Sequence, residues 1–70
     1  MLIHRQNFWE KYTGIKHTTE IAFDYRANRK CYDVLIDGEF YATAEHRCGA
    51  FDELVDVLRQ NPGWSPLNSF

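Results

Sequence analysis

Long apolar runs are missing from this chain. None approaches the ~20 residues that a helix needs to cross a bilayer, so a membrane-spanning helix is excluded. The opening Met1-Leu2-Ile3-His4 lacks the apolar core of a secretory signal, which makes the cytoplasm the expected compartment. Cysteine is scarce: Cys31 and Cys48 are the only two thiols. A bridge between them would require an oxidising compartment that no signal supports. Internal repeats and low-complexity segments are absent, which excludes array and linker architectures. Positive charge is not in excess either. Eight Lys and Arg against ten Asp and Glu leave a net charge of −2, so the chain lacks the overall basic footprint of a nucleic-acid-binding domain.

Apolar and aromatic side chains are plentiful. In 70 residues, 44% are hydrophobic and 16% aromatic, which suits one small folded domain with a modest core rather than a disordered chain. Asp37-Gly38 organises its middle. That dipeptide favours positive φ at both central positions of a two-residue turn, the conformation that matches the twist of flanking strands. It pairs Ile36 with Glu39, Leu35 with Phe40, Val34 with Tyr41, Asp33 with Ala42, Tyr32 with Thr43 and Cys31 with Ala44. A second turn at Ala27-Asn28 pairs Tyr25 with Lys30, Phe23 with Tyr32 and Ile21 with Val34.

Side chains alternate along a strand, so the two registers jointly define two faces. One collects Ile21, Phe23, Tyr25, Tyr32, Val34, Ile36, Tyr41 and Thr43 and is the expected core face. The other collects Ala22, Asp24, Cys31, Asp33, Leu35, Phe40, Ala42 and Ala44. From Ala50 to Gln60 the apolar residues recur at helical spacing, with Phe51, Leu54, Val55 and Leu58 turned to the sheet. Asp52 and Glu53 are placed in the first turn of this helix, and Asn61-Pro62-Gly63 ends it. Asn7 and Glu10 read as a capping pair for a short N-terminal helix carrying Phe8, Trp9 and Tyr12, with an extended strand as the alternative. The tail from Trp64 is expected to dock through that residue without forming an element.

The expected fold is therefore α+β: a three-stranded antiparallel meander packed by a C-terminal helix, with a short N-terminal helix, in αβββα order. Its segments are 1–17 as helix or extended arm, 18–45 as sheet, 49–61 as helix and 62–70 as tail. The element order is similar to that of double-stranded-RNA-binding domains, in order alone. Such domains carry positive charge near the start of the last helix, where this chain has Asp52 and Glu53.

No constellation of catalytic residues is present. His46 and Cys48, with Cys31 and with His17 or His4 further away, are residue types that zinc accepts, but their spacing fits no common zinc pattern and includes no Cys-x-x-Cys. Half-buried thiols and surface histidines are the simpler reading. Cys48 near a helix start with His46 two residues away supplies at most part of a nucleophilic site, and a single layer offers it little concavity. The sequence points to no enzyme, no metal and no cofactor.

Binding is what remains. Arg26, Arg29 and Lys30 cluster at the first turn and could contact phosphates, which is the nucleic-acid alternative. From Cys31 to Asp56 seven acidic residues face a single Arg47. The expected partner-binding residues are Asp24, Asp33, Leu35, Glu39, Phe40, Asp52, Glu53 and Asp56, an acidic and apolar surface suited to another protein. Small acidic chains of this kind occur among phage and mobile-element accessory proteins that block a host protein. The strands Ile21 to Tyr25 and Phe40 to Ala44 are the expected sheet edges, open to homodimerisation by strand addition.

Overall fold

The computed structural model describes residues 1–67, and the end of the expected tail, 68–70, lies outside the described residues. The elements are β1 (Leu2–Glu10), β2 (Lys16–Arg26), β3 (Arg29–Ile36), β4 (Glu39–Ala44), α1 (Arg47–Gln60) and β5 (Trp64–Pro66). They form a five-stranded sheet in the order β4-β3-β2-β1-β5, antiparallel throughout, with α1 on one face. The α+β class and the meander leading into a helix are as expected. The strand count and the N-terminal helix are not.

Both two-residue turns form as the sequence requires. Ala27 and Asn28 have φ of 48° and 64°, and Asp37 and Gly38 have 54° and 83°. The β2–β3 ladder then runs through Ile21↔Val34, Phe23↔Tyr32 and Tyr25↔Lys30, the expected register.

The expected N-terminal helix is a strand. β1 pairs along β2 from Leu2↔Ala22 to Trp9↔Lys16. Alternation is the physical reason: Phe8 is 4% exposed and Trp9 42%, so neighbouring aromatics go to opposite faces, as a strand requires. Asn7 and Glu10 do not cap anything. Asn7 Oδ1 accepts the Thr18 hydroxyl at 2.8 Å, and Glu10 Oε2 accepts the Thr13 hydroxyl at 3.0 Å. With β1 beside it, β2 is an interior strand, so Ile21 to Tyr25 is not an edge. The lateral strands are β4 and the three-residue β5, which pairs Trp64 with Glu10 and Pro66 with Phe8. The tail thus docks through Trp64 as expected, and it also forms a strand.

The second correction concerns β4. Leu35 pairs with Phe40 and Ile36 with Glu39, but beyond them Val34 pairs with Ala42, Asp33 with Thr43 and Tyr32 with Ala44. One extra residue, Tyr41, is accommodated as a bulge between these pairs, and an odd insertion exchanges the faces of everything after it. Ala42 and Ala44 therefore pack against the core, while Tyr41 and Thr43 are exposed. Space explains the choice. A Cβ placed on Gly49 of α1 would lie 3.3 Å from Ala44 Cβ, so only small side chains fit where the helix start crosses β4.

Ile21, Val34, Ala50 and Leu54 form the buried centre, with Ile3, Tyr32, Ile36, Ala42, Ala44 and Phe51 packed around it. The helix buries Ala50, Leu54 and Val57; Val55, expected to face the sheet, is 44% exposed. Because α1 starts at Arg47, its first turn contains no acidic residue, and Asp52 and Glu53 fall in the second. The expected stop is present: Asn61 Nδ2 donates to the Val57 carbonyl at 2.8 Å.

Candidate functional site: the open face of the sheet

The sheet has two unlike faces because α1 covers only one of them. The helix lies over β2, β3 and β4. Towards β1 and β5 it leaves a groove of about 320 Å³ between Phe8, Phe51, Leu54, Val55, Leu58 and Pro66. Among the described residues no element packs on the opposite face. Strand alternation places Arg5, Asn7, Thr18, Glu20, Ala22, Asp24, Cys31, Asp33, Leu35 and Thr43 there.

This open face is not simply acidic. Arg5 pairs with Glu20 at 3.0 Å. Arg26 reaches back from the β2–β3 turn to Asp24 at 3.2 Å and also to Asp33. The hydrogen bond that Arg26 donates to Asp24, and then the charge of Asp33, raise the Arg26 guanidinium further above its already high value. The carboxylates of this face are therefore largely compensated on the surface itself.

Asp33 is the exception within that network. Its side chain is 14% exposed, and Oδ2 accepts from Arg26. Its other oxygen, Oδ1, is buried and has no hydrogen-bond donor among the described residues. A carboxylate oxygen out of water without a donor is destabilising by ~1–3 kcal/mol or more. Thr43, its register partner, and Cys31 line an adjoining hollow of about 440 Å³ together with Arg26, Arg29 and Glu45. On the other side of Asp33, the Leu35 and Phe40 pair lies in register, with Leu35 half-buried and Phe40 62% exposed.

The expected partner-binding residues divide into two groups. Asp24, Asp33, Leu35 and Phe40 come together along β2, β3 and β4, with Glu39 exposed at the adjacent turn. Asp52, Glu53 and Asp56 are on α1, across the sheet from them, and Asp56 lies 4.0 Å from Arg59. The expected continuous acidic surface is thus two surfaces. The basic trio divides as well. Arg26 and Arg29 are opposite one another in the ladder, and Lys30 points to the other face with Tyr25. Arg29 is paired with Glu45. Two of the three proposed phosphate contacts are already occupied by carboxylates.

Cys31 is half-buried on the open face and Cys48 is exposed at the start of α1, both as free thiols. Among the described residues no three His, Cys, Asp or Glu side chains gather as a metal-binding group, and no helix is long and apolar enough to cross a membrane.

Sequence reasoning named His17 only as a distant zinc-ligand candidate and missed the setting in which it lies. Its Nδ1 lies 2.7 Å from Asp37 Oδ2 and its Nε2 3.3 Å from Glu10 Oε2, and its ring stacks on Trp64 with centroids 4.2 Å apart and planes at 11°. The Asp37 hydrogen bond raises the His17 pKa; loss of hydration opposes this, and Glu10 adds to the rise. Burial pushes Asp37 up, but His17 and the Thr18 N–H together outweigh it and hold the carboxyl below its usual value. The signal was out of reach because Glu10, His17, Asp37 and Trp64 are brought together only by the strand order.

No protein-family model, curated protein or solved structure matches this chain.

Proposed function

We propose that this chain is a non-catalytic protein-binding module that engages another polypeptide across the open sheet face, as an accessory protein acting on a host protein would. The observation that carries this reading is the exposed Phe40 and its register partner Leu35, beside Asp33 on a sheet face that no described element covers. An exposed apolar pair on an uncovered sheet face is what a partner would bury, seating an apolar side chain against Phe40. Hot spots of this type combine a desolvated polar contact with an aromatic anchor. Asp24 and Glu39 would lie on the rim, where charge guides approach more than it adds affinity.

Affinity capture from the native host with the wild-type chain, Asp33→Asn, Phe40→Ala and Asp56→Lys tests it. The expected outcome is one protein retained by wild type and by Asp56→Lys, and lost with both Asp33→Asn and Phe40→Ala. Retention by both open-face variants would refute the assignment.

A further inference from the structure

His17 connects three parts of the chain that are distant in sequence. Its two ring nitrogens face carboxylates, Asp37 in the β3–β4 turn and Glu10 at the end of β1, while its plane lies against Trp64 of β5. A neutral imidazole has one N–H donor and one lone pair, so it satisfies one carboxylate and presents a lone pair to the other. The imidazolium donates to both, and its charge is also favoured over an indole face. We propose that the His17 imidazolium is a protonation-dependent clasp that fastens β5 and the Asp37-Gly38 turn to the β1–β2 ladder, so that loss of the proton loosens β5.

The surroundings are consistent with a switch localised to this ring. Among the described residues the charged groups facing it are Glu10 from β1 and Asp37 from the β3–β4 turn; β5 contributes the uncharged Trp64. Glu10 is itself positioned by the Thr13 hydroxyl, and Asp37 by the Thr18 N–H at 2.9 Å. Both carboxylates are thus held in place before the proton binds. β5 is otherwise held by backbone pairing, by Gln6 Nε2 donating to the Leu67 carbonyl at 3.3 Å, and by few other side-chain contacts among the described residues. It is three residues long, and its backbone is tied in by its pairing with β1 and by the flanking bonds Lys11 N–H to Gly63 at 3.0 Å and Leu67 N–H to Asn7 at 2.9 Å. Trp64 also contacts Phe8, with centroids 6.0 Å apart. A clasp acting on so short a strand changes its opening without disturbing the core.

The test is a titration of the intact chain from about pH 5 to about pH 9, spanning the range in which imidazoles change charge. A Trp9→Phe background isolates Trp64 emission, NMR follows the His17 ring, and hydrogen exchange follows the Lys11 and Leu67 amides. Trp64 emission is expected to be low when His17 is charged, because a stacked imidazolium quenches indole, and to rise with the same midpoint as the ring signal. Protection of the two amides, corrected for intrinsic exchange, is expected to fall about twofold to fivefold across that midpoint, the range that partly exposed ion pairs supply. Asp37→Asn keeps a residue suited to the turn and is expected to lower the midpoint and shrink the loss of protection. Amide protection that stays constant while the His17 ring titrates would overturn the clasp, as would an Asp37→Asn midpoint equal to that of the parent.

Discussion

Ala27 occupies a backbone conformation that L-residues with a Cβ avoid. At φ 48° it is the first central residue of the β2–β3 turn, followed by Asn28 at 64°. Left-handed backbone costs most non-glycine residues ~1–2 kcal/mol, and part of that cost returns as unfolded-state entropy when glycine is substituted. Ala27→Gly is therefore expected to raise stability by roughly 0.5–1 kcal/mol, read as a higher urea midpoint with an unchanged slope. A decrease would show that Ala27 makes a contact the turn geometry does not reveal. Ile21 is the opposite case. It is fully buried at the centre of the cluster with Val34, Ala50 and Leu54, and Ile21→Ala is expected to cost ~2–5 kcal/mol. In a chain this small that is much of the total stability, so the variant should be largely unfolded by far-UV circular dichroism at room temperature. The hydrophobic identity of Ile21, Val34 and Leu54 was legible from spacing alone. Whether Tyr41 or Ala42 joined them was not, because a bulge leaves no mark in an alternating sequence.

At the scale of the element, the helix and the hairpins depend on small residues and on one histidine. α1 rests on β4 through Ala50, Ala42 and Ala44, with Gly49 directly against Ala44. Enlarging Ala50, which is 0% exposed, has nowhere to go, and Ala50→Leu is expected to destabilise by ~1–3 kcal/mol through overpacking. Thermal melts check this, and an unchanged melting temperature would mean the helix start can lift away at no cost. His17 and Asp37 couple β2 to the β3–β4 turn, and their titrations have opposite signs. The folded-state pKa of His17 is raised above 6.5, so its stabilisation is complete below that value and is lost as the pH rises through the folded value. Asp37 is lowered below 3.8, so its stabilisation is present above 3.8 and is lost as the pH falls through its folded value. The pair thus contributes most between 3.8 and 6.5. Denaturant midpoints measured against pH should be highest within that window, and Asp37→Asn should flatten the decline on its alkaline side. The two turns and the span of α1 could be inferred locally, from Asp37-Gly38, Ala27-Asn28 and Asn61-Pro62-Gly63. β1 could not, because the aromatic and β-branched residues of a short segment suit either period until a neighbouring strand is available to pair with it.

Considered whole, the molecule is a single sheet with a helix on one side, 43 × 24 × 19 Å in extent, and most of its arginines are paired with carboxylates. Arg26 and Arg29, the strongest argument for a nucleic-acid partner, are bound to Asp24, Asp33 and Glu45. A phosphate contact by either arginine would have to displace a carboxylate, and a net charge of −2 offers no compensating long-range attraction. The protein is expected to elute from a phosphate-affinity matrix without retention near physiological salt, and to show almost no dependence of binding to RNA or DNA on salt concentration, where true phosphate binding falls steeply. Steep salt-dependent retention would restore the basic turn as a binding site. The free β4 edge is a separate whole-molecule property: uncharged from Phe40 to Ala44 and without proline, it is guarded against strand addition by its Tyr41 bulge and by Glu39 at its start. Self-association through it would appear as a concentration-dependent mass in sedimentation and would be abolished by Thr43→Lys.

Local chemistry, by itself, determined the two positive-φ turns, the β2–β3 register they impose and the apolar stripe of α1, because each depends on residues within a few positions of one another. Tertiary structure alone decided that Leu2–Glu10 is a strand, that Tyr41 bulges so Ala42 and Ala44 can lie beneath the helix, and that Trp64–Pro66 closes the far edge. It also decided that the carboxylates of the open face are matched by arginines and that His17 meets Glu10, Asp37 and Trp64. These outcomes rest on pairings between segments far apart in the chain, where the space left by one element dictates what the next can place there.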